Sequence, residues 1–296
     1  MSLRSYRILN VFARSGRLTG NPLCVFEDGV GLDDATLQAL ARQFNLSETT
    51  FILPSTQATA RVRIFTPSYE MPFAGHPTLG TAHVVRALKG GGDAVALEMT
   101  VGIIPVNANG DRWTLQAVAP RARAFEMHRR ELEEILGLEA GDVAEYPLWV
   151  NAGKEQLVVP LASREAVRRA RPKADAFARL KSEDGQSMAY VFHDAGDAAG
   201  TVESRFFFPD GAAILEDPAT GSACANLGGW FTVIRPGDSI VRTVSQGEAV
   251  KRPSTLYLDV TPPSASGARK AEKGVGEGRI LVGGDVIELG RGAVSL

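Results

Sequence analysis

The amino-acid sequence predicts an α+β protein made of two similar lobes, and three observations point there. The chain has 296 residues, more than one ordinary core requires. Short β-branched and aromatic runs alternate with a few helical patterns along its whole length. One glycine-turn motif occurs twice, about half a chain apart.

Taken in order, Tyr6–Phe12 and Asn21–Phe26 read as strands bounded by polar turns. Asp33 or Asp34 caps a helix running to about Phe44, with Leu37, Leu40, Ala41 and Phe44 on one face. Strands follow at Thr49–Leu53 and Ala60–Phe65. A glycine turn then opens a helix from His76 to about Leu88, where Pro77 suits the first turn. Val95–Met99, Ile103–Val106 and Trp113–Ala117 read as short strands, with Asn109-Gly110 as a hairpin turn. The middle reads as helical, at Glu131–Leu136, at Arg164–Ala170, and from Pro172 to about Leu180. Strands return at Met188–His193 and Glu203–Phe208, and a further glycine turn opens a helix from Gly221 to about Ile234. Val241–Ser245, Thr255–Val260, Arg279–Val282 and Val286–Leu289 close the chain as strands. Pro262–Gly278, rich in Pro, Ser, Gly and Lys, reads as a long flexible hairpin loop. The lobes are expected at residues 1–118 and 119–284, with the last strand, about 285–296, returning to the first.

Composition narrows the function classes. With 44% apolar and 22% charged residues the chain has material for two soluble cores. A formal net charge of -2 gives no reason to expect a nucleic-acid partner, and Arg164, Arg168, Arg169 and Arg171 read as a solvated helix face. Two cysteines, Cys24 and Cys224, make no disulfide framework and lack metal-site spacing, so no metal is expected. No run approaches the roughly 18 apolar residues of a membrane helix, and the start of the chain lacks a signal-peptide pattern. The expected location is the cytoplasm. Neither a G-x-G-x-x-G nor a P-loop pattern occurs, and no cofactor is expected.

The repeat is the strongest signal. Phe65-Thr-Pro67 leads to Glu70-Met-Pro72-Phe-Ala-Gly75-His76, and Phe207-Phe-Pro209 leads to Glu216-Asp217-Pro218-Ala-Thr-Gly221-Ser222. Glu70, Pro72 and Gly75 match Glu216, Pro218 and Gly221 at a constant separation of 146 residues, with four extra residues upstream in the second copy. The shared strand–turn–helix context makes duplication the better account than chance, and a cleft between such lobes is a usual ligand site. Gly75 and Gly221 each stand where a helix begins, so backbone N–H groups there can cradle a carboxylate or a developing enolate. A lone glycine would only permit the turn, but a pair argues for a site. His76 can exchange a proton near neutral pH or simply cap its helix. Ser222 can cap and bind a ligand together. Asp217 can orient His76, bind an amino or hydroxyl group, or shape the turn before Pro218. Glu48, within Ser47-Glu48-Thr49-Thr50-Phe51, lies where a helix gives way to a strand, and spacing alone does not distinguish a buried base from a surface carboxylate.

These residues together carry a family resemblance. Asn21-Pro22 ahead of Cys24-Val25, Ser47-Glu48-Thr49, Phe73-Ala-Gly75-His76-Pro-Thr78-Leu-Gly80 and Glu216-Asp217-Pro218-Ala-Thr220-Gly221-Ser222-Ala223 resemble the phenazine-biosynthesis PhzF-like isomerases. Gln246-Gly247 with Arg252, and Val282-Gly283-Gly284, resemble its later motifs, and the match runs in order from about residue 6 to residue 290. The resemblance implies the diaminopimelate epimerase-like fold, two pseudo-symmetric lobes each with a barrel-like sheet around a central helix, and a homodimer. It also implies proton transfer on a small carboxylate substrate without metal or organic cofactor. By resemblance Glu48 is the general acid/base, His76 and Asp217 are catalytic partners, and Gly75, Gly221 and Ser222 bind substrate. The related epimerases and racemases pair two cysteines at the glycine turns, but here Ala74 and Thr220 precede the glycines, and Cys224 falls inside the helix as a packing residue. A single carboxylate that moves a proton between carbons therefore fits better than racemisation. Epimerisation or dehydration on the same fold, and a non-catalytic protein-binding role, are the alternatives.

Overall fold

The computed structural model describes residues 2–144, 146–263 and 278–296. Residues 264–277 of the expected Pro262–Gly278 loop lie outside the described residues. The chain divides into two compact units, one of Met1–Leu115 with Gly283–Leu296, the other of Gln116–Val282.

Unit 1 begins with β1 (Leu3–Val11), β2 (Asn21–Phe26), α1 (Asp34–Phe44), β3 (Glu48–Leu53), β4 (Ala60–Phe65) and β5 (Glu70–Met71). It continues with α2 (Gly75–Lys89), β6 (Ala94–Met99), β7 (Gly102–Asn109) and β8 (Arg112–Gln116), the last reaching one residue past the unit. Asp33 caps α1 by accepting from the Thr36 N–H at 2.8 Å, and Asn45 ends it in the left-handed region. β1 pairs with β2, β2 with β3, β3 with β4, β4 with β6, β6 with β7 and β7 with β8. The C-terminal strand, described below, pairs with both β8 and β1, so the sheet of unit 1 closes on itself. Helix α2 packs against six of these strands, which explains why it is apolar nearly all round instead of on one stripe. Gly80 permits the approach, since a Cβ there would lie 2.5 Å from Leu23 and 2.9 Å from Val11.

Unit 2 opens with β9 (Arg121–Ala124), α3 (Arg129–Leu136), β10 (Leu148–Asn151), β11 (Glu155–Pro160), α4 (Arg164–Arg169) and α5 (Ala174–Phe177). Then come β12 (Ala189–Asp194), β13 (Thr201–Asp210), β14 (Ala213–Asp217), α6 (Gly221–Ile234), β15 (Ile240–Gln246) and β16 (Ser254–Thr261). The final strand β17 (Arg279–Ser295) starts in unit 2 and finishes in unit 1. Pairing runs β9, β10, β11, β12, β13, β15, β16, with β14 folded back on β13. Helix α6 packs against β9, β10, β11, β15 and β16, and ten of its residues are buried. A separate core gathers Leu132, Leu136, Val167 and Phe177 from α3, α4 and α5 around Trp149, and each such side chain contributes about 1.5–3 kcal/mol by leaving water.

The repeat expected from the turns extends to the strands that lead into them, β2 to β5 in unit 1 and β11 to β14 in unit 2. Phe65 pairs with Glu70 across β4–β5, and Phe207 pairs with Glu216 across β13–β14. In each unit an Arg two residues before the Phe reaches the same Glu. Arg63 Nη2 donates to Glu70 at 2.6 Å and Arg205 Nη2 to Glu216 at 2.6 Å. Each guanidinium also lies over its Phe ring, 5.0 Å and 4.7 Å from the centroid. This Arg-x-Phe…Glu clasp is a second repeat that the turn motif alone did not reveal.

The pairing registers then align the rest. In unit 1, Cys24 lies opposite Thr49 and Thr49 opposite Phe65. In unit 2, Leu157 lies opposite Ala189 and Ala189 opposite Phe207. Ala189 therefore stands in Thr49's place, Met188 in Glu48's and Gln156 in Leu23's. Counting from the helix starts, Ser222 stands in His76's place and Asn226 in Gly80's.

Three sequence expectations need correction. The middle of the chain is not mainly helical, because β9, β10 and β11 lie there, β11 being wholly buried. The helix expected from Pro172 to Leu180 is only the single turn of α5. The two strands expected at Arg279–Val282 and Val286–Leu289 are one, β17, because Gly283 and Gly284 serve close packing and do not break it. A Cβ on Gly283 would lie 2.8 Å from the Trp113 carbonyl, and one on Gly284 would lie 2.3 Å from the Phe12 ring.

Candidate active site

In unit 1, the left-handed Asn45 at the end of α1 turns the chain so that β3 begins at Glu48. A buried hydrogen bond of 2.8 Å between the Thr50 and Thr81 hydroxyls ties β3 to α2 behind it. Gly75 opens α2, and His76 follows. The His76 ring is buried and Nε2 lies 3.5 Å from Glu48 Oε2. His76 hydrogen-bonds the backbone of Pro22, and since proline has no N–H the ring is the donor. That bond spends the single ring proton, and burial pushes the His76 pKa down to about 3, so the imidazole is neutral and presents a lone pair to Glu48. An acid form of Glu48 thus has an acceptor beside it. His76 does not cap α2, whose N-cap is Ala74 and carries no side-chain bond.

In unit 2, Gly221 opens α6 after Thr220, which also makes no side-chain cap. Asp217 Oδ2 accepts from the Thr220 hydroxyl at 2.5 Å. Gln246 accepts from the Thr220 N–H at 3.4 Å through Oε1, and its Nε2 donates to the Asp217 carbonyl and to Thr220 Oγ1. The Thr220 hydroxyl, receiving one proton from Gln246, must send its own to Asp217. Gly247, at φ +83°, turns directly against this loop, where a Cβ would lie 2.5 Å from the Pro218 carbonyl. Ser222, expected as a cap, instead accepts from Gln156 Nε2 at 3.0 Å. Gln246, Thr220, Gln156 and Asn226 are supporting residues that the sequence reading did not assign. Thr220 and Gln246 stand within the motifs that carry the family resemblance, whereas nothing in the sequence marked Gln156 or Asn226.

Glu48, His76 and Gly75 thus form one group in unit 1, and Asp217, Gly221 and Ser222 another in unit 2. Neither first turn contains an acidic residue, so both helix starts offer N–H groups and a positive dipole end. Cys24 and Cys224 are buried free thiols whose ionisation burial disfavours, in keeping with packing roles. Among the described residues no group of three or more His, Cys, Asp or Glu is set to hold a metal ion. No described helix is long and apolar enough to cross a membrane.

Known structures share this architecture. The Bacillus anthracis phenazine biosynthesis protein of the PhzF family superposes with a TM-score of 0.86 over 100% of both chains at 24% identity. A hydroxyproline epimerase from Agrobacterium vitis shares the fold at a TM-score of 0.59 and 12% identity, over 99% of this chain and 93% of its own. The protein therefore has the α+β diaminopimelate epimerase-like fold. It belongs to the PhzC-PhzF family, phenazine biosynthesis-like protein, whose profile matches residues 9–285. An uncharacterized isomerase of Pasteurella multocida is 34% identical over 97% of this chain and 93% of its own length. The trans-2,3-dihydro-3-hydroxyanthranilate isomerase of Pseudomonas aeruginosa is 34% identical over 86% of this chain and 90% of its own.

Proposed function

We propose that the protein shifts a proton between two carbons of a small carboxylate-bearing substrate, with Glu48 as the only acid/base that moves it. The observation that carries this is the asymmetry of the repeat. Strand register sets Met188 in unit 2 where Glu48 stands in unit 1, and a thioether cannot take or return a proton. An epimerase working from two opposed faces needs two such groups. A single carboxylate suits removal of a proton at one carbon of a conjugated system and its return at another.

In this reading the substrate carboxylate meets the N–H groups at the Gly221 helix start and the Ser222 hydroxyl, and Asp217 binds a polar substituent. His76, neutral, accepts from Glu48 while Glu48 holds the proton in transit. The likeness to a trans-2,3-dihydro-3-hydroxyanthranilate isomerase supports a cyclic amino-acid-like carboxylate as the substrate class. The reading uses no metal or organic cofactor. The test is incubation with a panel of cyclic and acyclic unsaturated carboxylates in deuterated water, followed by NMR. Migration of a double bond with deuterium at one carbon is expected. Inversion of a stereocentre with exchange at that same carbon would replace this reading with epimerisation, and loss of water with a dehydratase.

A further inference from the structure

Behind Ser222 lies a buried pair of amides whose orientation is set by backbone groups. The Ala152 N–H donates to Asn226 Oδ1 at 2.7 Å. Asn226 Nδ2 then donates to the Lys154 carbonyl at 2.8 Å and to Gln156 Oε1 at 2.7 Å. A backbone N–H cannot accept and a carbonyl cannot donate, so Asn226 has one orientation and not its flipped one. Gln156 inherits its orientation in turn. Its oxygen faces Asn226, and its Nε2 faces Ser222 Oγ at 3.0 Å. An amide NH₂ only donates, so Ser222 Oγ accepts here and must send its own proton elsewhere. Among the described residues no acceptor is paired with that proton. Asn226 is fully buried and Gln156 is 2% exposed, whereas Ser222 is partly exposed on the first turn of α6.

Unit 1 shows that the fold does not need this arrangement. The places of Gln156 and Asn226 are held there by Leu23 and Gly80, which pack strand against helix with no polar atom. Buried amides are costly unless fully paired. Their presence only under the helix that starts with Ser222, and not under the one that starts with His76, calls for a reason beyond packing.

We infer that Gln156 and Asn226 are positioning residues that lock the Ser222 hydroxyl as a hydrogen-bond donor toward the substrate's carboxylate. The inference deepens the function proposed above and rests on it for the identity of the acceptor. Gln156→Glu tests it. An ionised carboxylate at 156 accepts from Asn226 on one side and from Ser222 on the other, which turns the hydroxyl proton inward and leaves only lone pairs facing the ligand.

The probes are 2-aminobenzoate and its carboxamide, titrated by calorimetry. Q156E should weaken binding of the carboxylate about tenfold to a hundredfold, the range for a hydrogen bond to a charged group, while the carboxamide, which can donate, loses much less. In an S222A background the same Q156E change should cost less than about threefold, since no hydroxyl remains to reverse. A purely structural role for Gln156 would penalise both probes alike and would persist without Ser222. Retention of the full carboxylate preference by Q156E would overturn the proposal. A second measurement needs no ligand and no Q156E protein. In wild type against S222A, the Gln156 side-chain ¹⁵N–¹H signals should shift and its carbonyl ¹³C should not, and the reverse pattern would sink the lock. If wild type binds neither probe, the carboxylate reading of the site fails, and the NMR pattern still decides the hydroxyl's polarity.

Discussion

Replacing Glu48 by Gln keeps the size of the side chain and removes its ability to carry a proton. General acid–base catalysis contributes about 10²–10⁴ in rate, so E48Q is expected to lose kcat in that range while KM changes little. Deuterium from solvent should enter the product of the wild type and not that of the variant. E48Q at the wild-type rate would transfer the role to another group. The neutrality that burial imposes on His76 has a consequence for stability. Its pKa is lowered to about 3 in the folded protein, against about 6.5 when unfolded. The stabilisation of the neutral ring is complete above pH 6.5 and is lost as pH falls toward 3, by up to about 1.4 kcal/mol per unit. H76N cannot titrate. Urea unfolding should therefore show the stability gap between wild type and H76N narrowing between pH 7 and pH 4. A gap independent of pH would mean that the buried ring accepts a proton in place.

The two Arg–Glu clasps offer a controlled comparison at the level of elements, because strand pairing is equivalent and burial differs. Arg63 and Glu70 are 19% and 35% exposed, whereas Arg205 and Glu216 are 8% and 7% exposed. Arg205 also donates to the Ala170 carbonyl at 2.7 Å and to Val167 and Arg168, closing the end of α4. R205L should cost about 3–5 kcal/mol by leaving Glu216 buried without its cation. R63L should cost about 1 kcal/mol or less. Equal losses in chemical denaturation would show that burial is not what separates them.

Elements with local signals were legible in the sequence. Asp33, the glycine turns and the apolar faces bounded α1, α2 and α6 to within one residue at their starts. β10 and β11 were not legible, since Leu148–Asn151 is short and Glu155–Pro160 is buried on both faces, so neither alternates. Gly283-Gly284 resembled a break because the need for glycine there comes from Trp113 and Phe12, which lie far away in sequence. The candidate site divides the same way. Glu48, His76, Asp217 and Ser222 sit in recognisable motifs, whereas Gln156 lies in an apolar run and Asn226 mid-helix, where an amide says nothing of its partners.

For the whole molecule, the decisive feature is that the sheet of unit 1 is completed by residues from the far end of the chain. β1 pairs with β17 from Leu3 with Ser295 to Val11 with Val286, and Ser2 and Leu296 close the end with reciprocal backbone bonds. Deleting residues 286–296 would leave β1 as an open edge while β8 keeps residues 280–285 beside it, and such a chain is expected to aggregate and to unfold without a single cooperative transition. A soluble, cooperatively folding truncation would show that ring closure is dispensable.

The same feature sets a timetable for biosynthesis. The segment that holds β1–β8 is made before the partner of β1, with residues 116–282 translated between them. At about 5–20 residues per second those 167 residues take roughly 8–35 s. Throughout that interval the N-terminal strands are on hand without the one that seals them, and by its end the second unit has its full sequence. The unit that carries Glu48 and His76 therefore cannot close its sheet until β17 has been made, and the acid–base chemistry proposed for it waits on the same event.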